Sequence, residues 1–156
     1  MSGWISSRKK GSSLEEAVEV NREAIGKEYP YVTYELTREM ILAYAEVVGD
    51  PNPYFSDPEA AVLYAPHTLV GAYTLLLVPY IVGDQELDLD VSKPIVHIHQ
   101  VYEWKRSAKA GDVLTVRGRI VDIREEGGHE FITFEGDIVD GEGNPVVVAR
   151  STLRVG

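Results

Sequence analysis

The sequence predicts an α+β fold in which one antiparallel sheet curls around a single apolar helix. Residues 68–82 form the longest apolar run, and a helix there has apolar side chains on nearly every side, so other structure should wrap it. Four segments after residue 94 alternate apolar and polar residues, which is typical of antiparallel strands. A series of strands that follows one buried helix favours a sheet wrapped around that helix.

The N-terminal third predicts a tail, two helices and a short strand. Residues 1–13 are rich in Ser, Gly and Lys and are expected to form a mobile tail, with residues 14–156 as one domain. Ser13 is a candidate cap for a helix that ends at Gly26. Residues 31–36 predict a strand, because aromatic and β-branched residues dominate them. Thr37 caps a second helix, which Gly49 ends.

Residues 50–58 contain three prolines and cannot continue that helix, so we expect a rigid loop. Residues 59–64 are expected to form one or two helical turns before the apolar helix begins. The predicted strands beyond it are residues 95–104, 113–123, 131–139 and 146–155. Turn-forming residues separate these four strands, at residues 110–112, 127–128 and 140–144.

Composition excludes several classes of function. The chain carries a formal charge of -10, so phosphate backbones and anionic lipid surfaces are poor partners. It has no cysteine, which excludes disulfides, thiolate zinc sites and a cysteine nucleophile, and fits a reducing compartment such as the cytoplasm. The longest apolar run is shorter than the ~20 residues that a bilayer span needs. Because there is no glycine-rich phosphate loop and no metal-spaced histidine cluster, we expect neither a cofactor nor a metal.

The proline loop carries the motif with chemical meaning. It resembles the active-site motif of the MaoC-like (R)-specific enoyl-CoA hydratases and hydroxyacyl dehydratases, which reads Gly-Asp-x-Asn-Pro-x-His and then an Asp/Glu-Pro step. The resemblance extends over residues 29–155. Within the family, the chain is similar to the N-terminal MaoC dehydratase type, and this resemblance implies the hot-dog fold. The matching residues are Gly49, Asp50, Asn52, Pro53, Asp57 and Pro58, with Ala65-Pro66, His97 to Gln100 and Ala110 to Asp112 as further likenesses.

One position departs from the family's pattern, because Phe55 stands where the motif has its histidine. The resemblance implies that an aspartate and a histidine share the proton transfers, that an asparagine orients them, and that a backbone amide at the start of the central helix polarises the thioester carbonyl. Phenylalanine neither accepts nor donates a proton, and loss of one member of such a pair typically costs about 10²–10⁴-fold in rate. Asp50 and Asn52 remain as candidate catalytic residues, with His67 as a candidate substitute. Asp and Asn beside prolines also form turns, so the loop's shape alone can explain them.

The resemblance and the apolar run together give a set of candidate substrate-binding residues. His97 and His99 share a parity on one predicted strand and should project from the same face, but no third ligand for a metal accompanies them. The set comprises Phe55, Thr68, Leu69, Val70, Gly71, Tyr73, His97 and Gln100.

Three functions remain open from the sequence. The first is the non-catalytic, acyl-chain-binding subunit of an (R)-specific 2-enoyl-thioester hydratase or 3-hydroxyacyl-thioester dehydratase, paired with a catalytic MaoC-like subunit. The second is an autonomous hydratase or dehydratase, a homodimer that uses Asp50 with His67 or a water. The third is a non-enzymatic acyl-thioester binding module, and a hot-dog thioesterase is a weaker option. The ligand would be an acyl-CoA or an acyl-carrier-protein thioester, and dimerisation is expected in every case, since a hot-dog sheet leaves an exposed edge.

Overall fold

The computed structural model describes residues 20–156 of the chain. They form one five-stranded antiparallel sheet in the order β1-β3-β4-β5-β2, which confirms the predicted α+β fold. All five predicted strands are present, with ends that differ by a few residues. Their bounds are β1 Glu28–Glu35, β2 Ile95–Trp104, β3 Val113–Glu126, β4 His129–Val139 and β5 Pro145–Val155.

The helix predicted after Thr37 is α1, Arg38–Val48. Thr37 Oγ1 accepts a hydrogen bond from the Met40 amide at 3.2 Å, as an N-cap residue does. Gly49 ends the helix with a φ of 70°, a left-handed conformation that glycine adopts without strain. The proline loop, expected from the sequence to be irregular, contains a one-turn helix, α2, Pro53–Ser56.

The apolar run is not the continuous helix that its composition predicts. It consists of α3, His67–Ala72, a 3-10 helix at Tyr73–Leu77, and α4, Val78–Val82. Pro79 lies in the first turn of α4, where its missing N–H breaks the helical hydrogen-bond ladder. The carbonyl of Gly71 accepts hydroxyl hydrogen bonds from Tyr102 at 3.1 Å and Thr74 at 2.7 Å, which compete with the regular backbone partner. We call residues 67–82 the central segment.

The sheet approaches the central segment closely because two strands carry glycine where they cross it. Gly118 of β3 and Gly136 of β4 face Leu77, which is fully buried. A Cβ atom at Gly118 would lie 2.6 Å from Leu77 Cδ1. The segment is not wrapped on all sides, however, since Leu75 and Leu76 are 39% and 42% exposed.

The four strands after the central segment do not form a simple meander. β3, β4 and β5 pair in sequence order, whereas β2 lies beyond β5 at one edge of the sheet. The opposite edge is β1, which pairs with β3. Among residues 20–156, this order leaves one side of β2 unpaired, and Val96, Ile98 and Val101 of this strand are partly exposed.

A β-bulge in β2 overturns the prediction that His97 and His99 share a face. His97 is in register with Leu153, and His99 with the next residue along β5, Thr152, so one residue of β2 is extra at this point. Neighbouring residues of β5 point to opposite faces, and the two histidines do likewise. His97 therefore shares the inner face of the sheet with Gln100, which is in register with Ser151.

Two further predictions differ from the structure or fall partly outside it. Residues 59–64 are not helical; they form bends and end in an isolated bridge between Tyr64 and Lys109. The tail of residues 1–13 and the first half of the helix predicted from Ser13, residues 14–19, lie outside the described residues. At the C-terminal end of that predicted helix the chain forms a short 3-10 helix, Arg22–Ala24, and Gly26 follows with a φ of 92°.

Candidate functional site

A cleft of about 1260 Å³ opens at one end of the sheet. Four stretches of chain meet there: the proline loop, the start of α3, the segment between β2 and β3, and the turn between β4 and β5. The structure thus brings together four of the predicted site residues, which are Asp50, Phe55, His67 and Thr68.

The proline loop holds its shape through hydrogen bonds of its own polar groups. Asp50 Oδ1 accepts from the Asn52 amide at 3.0 Å, and Asn52 Oδ1 accepts from the Tyr54 amide at 3.1 Å. Arg38 of α1 clamps the far end of the loop, since its guanidinium donates to the carbonyls of Pro58 at 3.1 Å and Ala60 at 2.7 Å. Asn52 does not line the cleft, so its side chain caps α2 and supports the loop on which Asp50 lies.

Phe55 projects from α2 into the cleft, at the position where the motif has histidine. The wall around it is aromatic, because Tyr54 and Tyr64 line the same cleft with ring centroids 6.4 Å apart. The cleft that Asp50 lines therefore has a phenylalanine, which transfers no proton, at the position of the motif's histidine.

His67 lies at the mouth of the cleft, as the first residue of α3. Its imidazole stacks on the indole of Trp104, with ring centroids 4.1 Å apart and an interplanar angle of 12°. Such a stack contributes about 0.5–1.5 kcal/mol beyond area burial and orients the ring. The first intrahelical hydrogen bond of α3 runs from the Leu69 amide to the Pro66 carbonyl, and Pro66 provides no side-chain cap. The amides of His67 and Thr68 precede that bond, at the helix end where a carbonyl oxygen can be bound.

The opposite wall is charged. Arg106 donates to Asp112 Oδ2 at 2.7 Å and to Asp140 Oδ2 at 3.3 Å, and so ties the segment before β3 to the turn after β4. Burial alone would lower the pKa of Arg106, but the hydrogen bonds to the two carboxylates outweigh burial and raise it. The amides of Asn144 and Glu142 hold the pKa of Asp140 below its usual range, with Arg106 adding to the effect. Both shifts favour the charged forms of Arg106 and Asp140.

The other predicted binding residues lie away from the cleft. Leu69 and Val70 are buried in the core, and Gly71 is packed under the ring of Tyr102. Tyr73 stacks on Tyr34 of β1, with centroids 3.7 Å apart.

His97 and Gln100 lie on the inner face of the edge strand β2. The His97 Nε2 atom lies 3.0 Å from the carbonyl of His99, and Gln100 Oε1 accepts from the Ser151 hydroxyl. These two side chains therefore lie at the sheet edge and do not line the cleft.

Among the residues that line the cleft, sequence reasoning missed Tyr54, Tyr64 and the turn that carries Asp140 and Glu142. It also missed Trp104, which does not line the cleft but stacks on His67. Parity along β2 was the available signal for Trp104, because it lies two and four residues after Tyr102 and Gln100 on the inner face. The turn gave no signal, since it lies 90 residues from Asp50 in the chain. Among residues 20–156, no three His, Asp or Glu side chains are arranged to hold a metal ion. The same residues include no helix long and apolar enough to cross a membrane.

The family model described as "FAS1-like, dehydratase domain region" matches residues 23–149. The chain belongs to this dehydratase family. It is also 38% identical over 141 residues to a UPF0336 protein of Streptomyces avermitilis, covering 86% of this chain and 93% of that protein. A UPF0336 protein of Thermobifida fusca is 34% identical over 143 residues, covering 87% and 93%.

Solved structures identify the fold as the hot-dog fold of MaoC-like hydratases and dehydratases. A subunit of the HadBC 3R-hydroxyacyl-ACP dehydratase complex of Mycobacterium tuberculosis superposes with a TM-score of 0.63 at 24% identity, covering 84% of this chain and 96% of that one. The (R)-hydratase PhaJ1 of Pseudomonas aeruginosa gives 0.65 at 18% identity, covering 83% and 79%. The MaoC-like dehydratase of Rhodospirillum rubrum gives 0.65 at 20% identity, covering 85% and 92%.

Proposed function

We propose that this member of the dehydratase family is the non-catalytic, acyl-chain-binding subunit of an (R)-specific 2-enoyl-thioester hydratase or 3-hydroxyacyl-thioester dehydratase. The observation that carries the proposal is Phe55: it lines the cleft beside Asp50 at the motif's histidine position. Hydration of a 2-enoyl thioester needs both an activated water and a proton donor for the α-carbon. The loop retains Asp50 and lacks the histidine of the pair. Part of the proposal is a cytoplasmic location, which fits a chain without cysteine.

A partner subunit would supply the missing pair. The unpaired edge of β2, with its partly exposed Val96, Ile98 and Val101, suits the addition of a second sheet. Two of the structural neighbours are named as complexes, HadBC and ChsH1-ChsH2 of Mycobacterium tuberculosis. By analogy, the proposed assembly is a heterodimer with a catalytically equipped MaoC-like subunit.

The competing function is an autonomous hydratase in which His67 replaces the missing histidine. The observation in its favour is that Asp50 and His67 line one cleft, with the His67 ring held by Trp104. The two proposals differ in whether the purified chain turns over substrate alone.

Hydration of crotonyl-CoA and of a longer 2-enoyl-CoA by the purified chain tests the proposal. The wild type should show no turnover, and Phe55→His should gain hydration that Phe55→His/Asp50→Ala loses again. Wild-type turnover that either Asp50→Ala or His67→Ala abolishes would overturn the non-catalytic role. If Phe55→His stays inactive while the thioester still binds, the third function, a binding module without turnover, is favoured.

A further inference from the structure

The rim of the cleft is acidic, although the ligands expected there are carried by phosphate-bearing groups. Arg106 is already neutralised by Asp112 and Asp140. Lys109 is then the one basic side chain of the rim that has no ion pair within residues 20–156. By the rim we mean the charged residues that line the cleft. They are four acids and two bases: Asp50, Asp112, Asp140, Glu142, Arg106 and Lys109.

An excess of carboxylates acts differently on the two parts of an acyl thioester. The nucleotide of coenzyme A carries several phosphate charges, which the rim and the chain's net charge of -10 both repel. The pantetheine arm is uncharged. It contains amide N–H groups, which can donate hydrogen bonds to carboxylates. The aromatic wall formed by Tyr54, Phe55 and Tyr64 suits the uncharged arm and the acyl chain equally.

We propose that the cleft selects the pantetheine arm and acyl chain of a thioester and repels the phosphates of coenzyme A, and that Glu142 is a residue that sets this selection. The inference rests on the proposed function, since it assumes that an acyl thioester enters the cleft. In the proposed heterodimer, the partner subunit would then bind the phosphate groups of the carrier.

Glu142 can be changed without loss of the turn that holds it. Asp140 builds this turn, because its Oδ1 accepts from the amides of Glu142 at 3.1 Å and Asn144 at 2.9 Å. The side chain of Glu142 is exposed and accepts a hydrogen bond from Asn144 Nδ2 at 3.2 Å. Reversal of its charge therefore changes the electrostatic potential of the cleft and leaves the backbone of the turn supported.

Binding of butyryl-pantetheine and butyryl-CoA to the purified chain tests the inference, because neither saturated thioester can be hydrated. Trp104 reports on the cleft through its stack with His67, and Trp4→Phe removes the second tryptophan of the chain. We expect butyryl-pantetheine to bind at least as tightly as butyryl-CoA. Added salt should strengthen the binding of butyryl-CoA, because salt screens repulsion.

The charge reversal Glu142→Lys should strengthen butyryl-CoA binding by about fivefold and leave butyryl-pantetheine binding unchanged. The matched control is Glu125→Lys, which makes the same charge change at the other end of β3, roughly 40 Å from the Val113 end that lines the cleft. This control should change neither affinity.

The possible results separate the inference from the proposed function. If butyryl-CoA binds more tightly than butyryl-pantetheine and salt weakens it, the cleft grips phosphates and the inference is wrong, while the acyl-binding role stands. If Glu142→Lys and Glu125→Lys have equal effects, the selection is a property of net charge and Glu142 does not set it. If neither thioester binds, the acyl-binding function itself fails.

Discussion

At the scale of single residues, the proposed function depends on one replacement in an otherwise retained motif. Phe55 lies in the cleft beside Asp50, while Asn52 supports the loop and caps α2. Both the motif and the replacement were readable from the sequence. Their surroundings were not: the stack of His67 on Trp104 depends on a strand and a helix that meet only in the folded chain.

A second single residue, Asp137, is a source of instability on the outer face of the sheet. Its Oδ1 atom is buried without a hydrogen-bond partner. Burial raises the pKa of Asp137, and the negative charge of Glu135 adds to the effect, although nearby arginines oppose it. Since the folded-state pKa lies above the ordinary 3.8, this group favours the folded state in acid and loses that contribution as the pH rises through the folded-state pKa.

We therefore expect Asp137→Asn to melt at a higher temperature than the wild type at pH 7, with the advantage shrinking in acid. The matched control is Asp122→Asn on the neighbouring strand β3 and on the same face of the sheet, where Asp122 pairs with the exposed Arg124 at 3.0 Å. That substitution should leave the melting temperature unchanged or slightly lower. An Asp137→Asn protein that is less stable at pH 7 would show that the carboxylate is favourably paired.

At the scale of elements, the last four strands followed from alternation and β1 from its aromatic and β-branched residues, with limits within three residues, but register and pairing did not follow from the sequence. The predicted and observed bounds of β2 are identical, yet the bulge beside Ile98 reverses the face of every residue after it. Alternation contains no signal for an inserted residue. Likewise, the apolar run 68–82 predicted one continuous helix. The hydroxyl groups of Tyr102 and Thr74 donate hydrogen bonds to the Gly71 carbonyl, and composition gives no sign of these contacts.

The packing of the central segment on the sheet gives a stability prediction. Gly118→Ala should destabilise the fold by about 1–3 kcal/mol, because its Cβ atom would lie 2.6 Å and 2.7 Å from the two methyl carbons of the buried Leu77. Gly141→Ala, in an open turn, is the control and should change little. Urea unfolding measures both.

A double variant separates this clash from a loss of backbone freedom. If the clash is the cause, Gly118→Ala/Leu77→Ala should be less destabilised than the sum of the two single substitutions. Additive losses would mean that the glycine is needed for its backbone alone.

At the scale of the whole molecule, the edge strand β2 is a candidate contact for a second subunit. Val101 on β2 is 47% exposed, and no strand of the described part of the chain pairs with the outer side of β2. We propose that the purified chain, in the absence of its catalytic partner, dimerises through this edge. Val101→Lys should then give a monomer in light scattering, because a lysine on an edge strand opposes sheet-to-sheet pairing. Val47→Lys, at an 85% exposed site on α1, should leave the dimer intact. A Val101→Lys protein that stays dimeric would place the subunit contact elsewhere.

The central claim is that this chain binds an acyl thioester without transforming it, and one sample can test both halves. Crotonyl-CoA or crotonyl-pantetheine is added to the Trp4→Phe protein, and Trp104 fluorescence and the loss of the enoyl thioester are followed together. The account predicts saturable binding with no hydration above the uncatalysed rate. Hydration that disappears in Asp50→Ala would contradict it, since the cleft would then be catalytic with Phe55 in place.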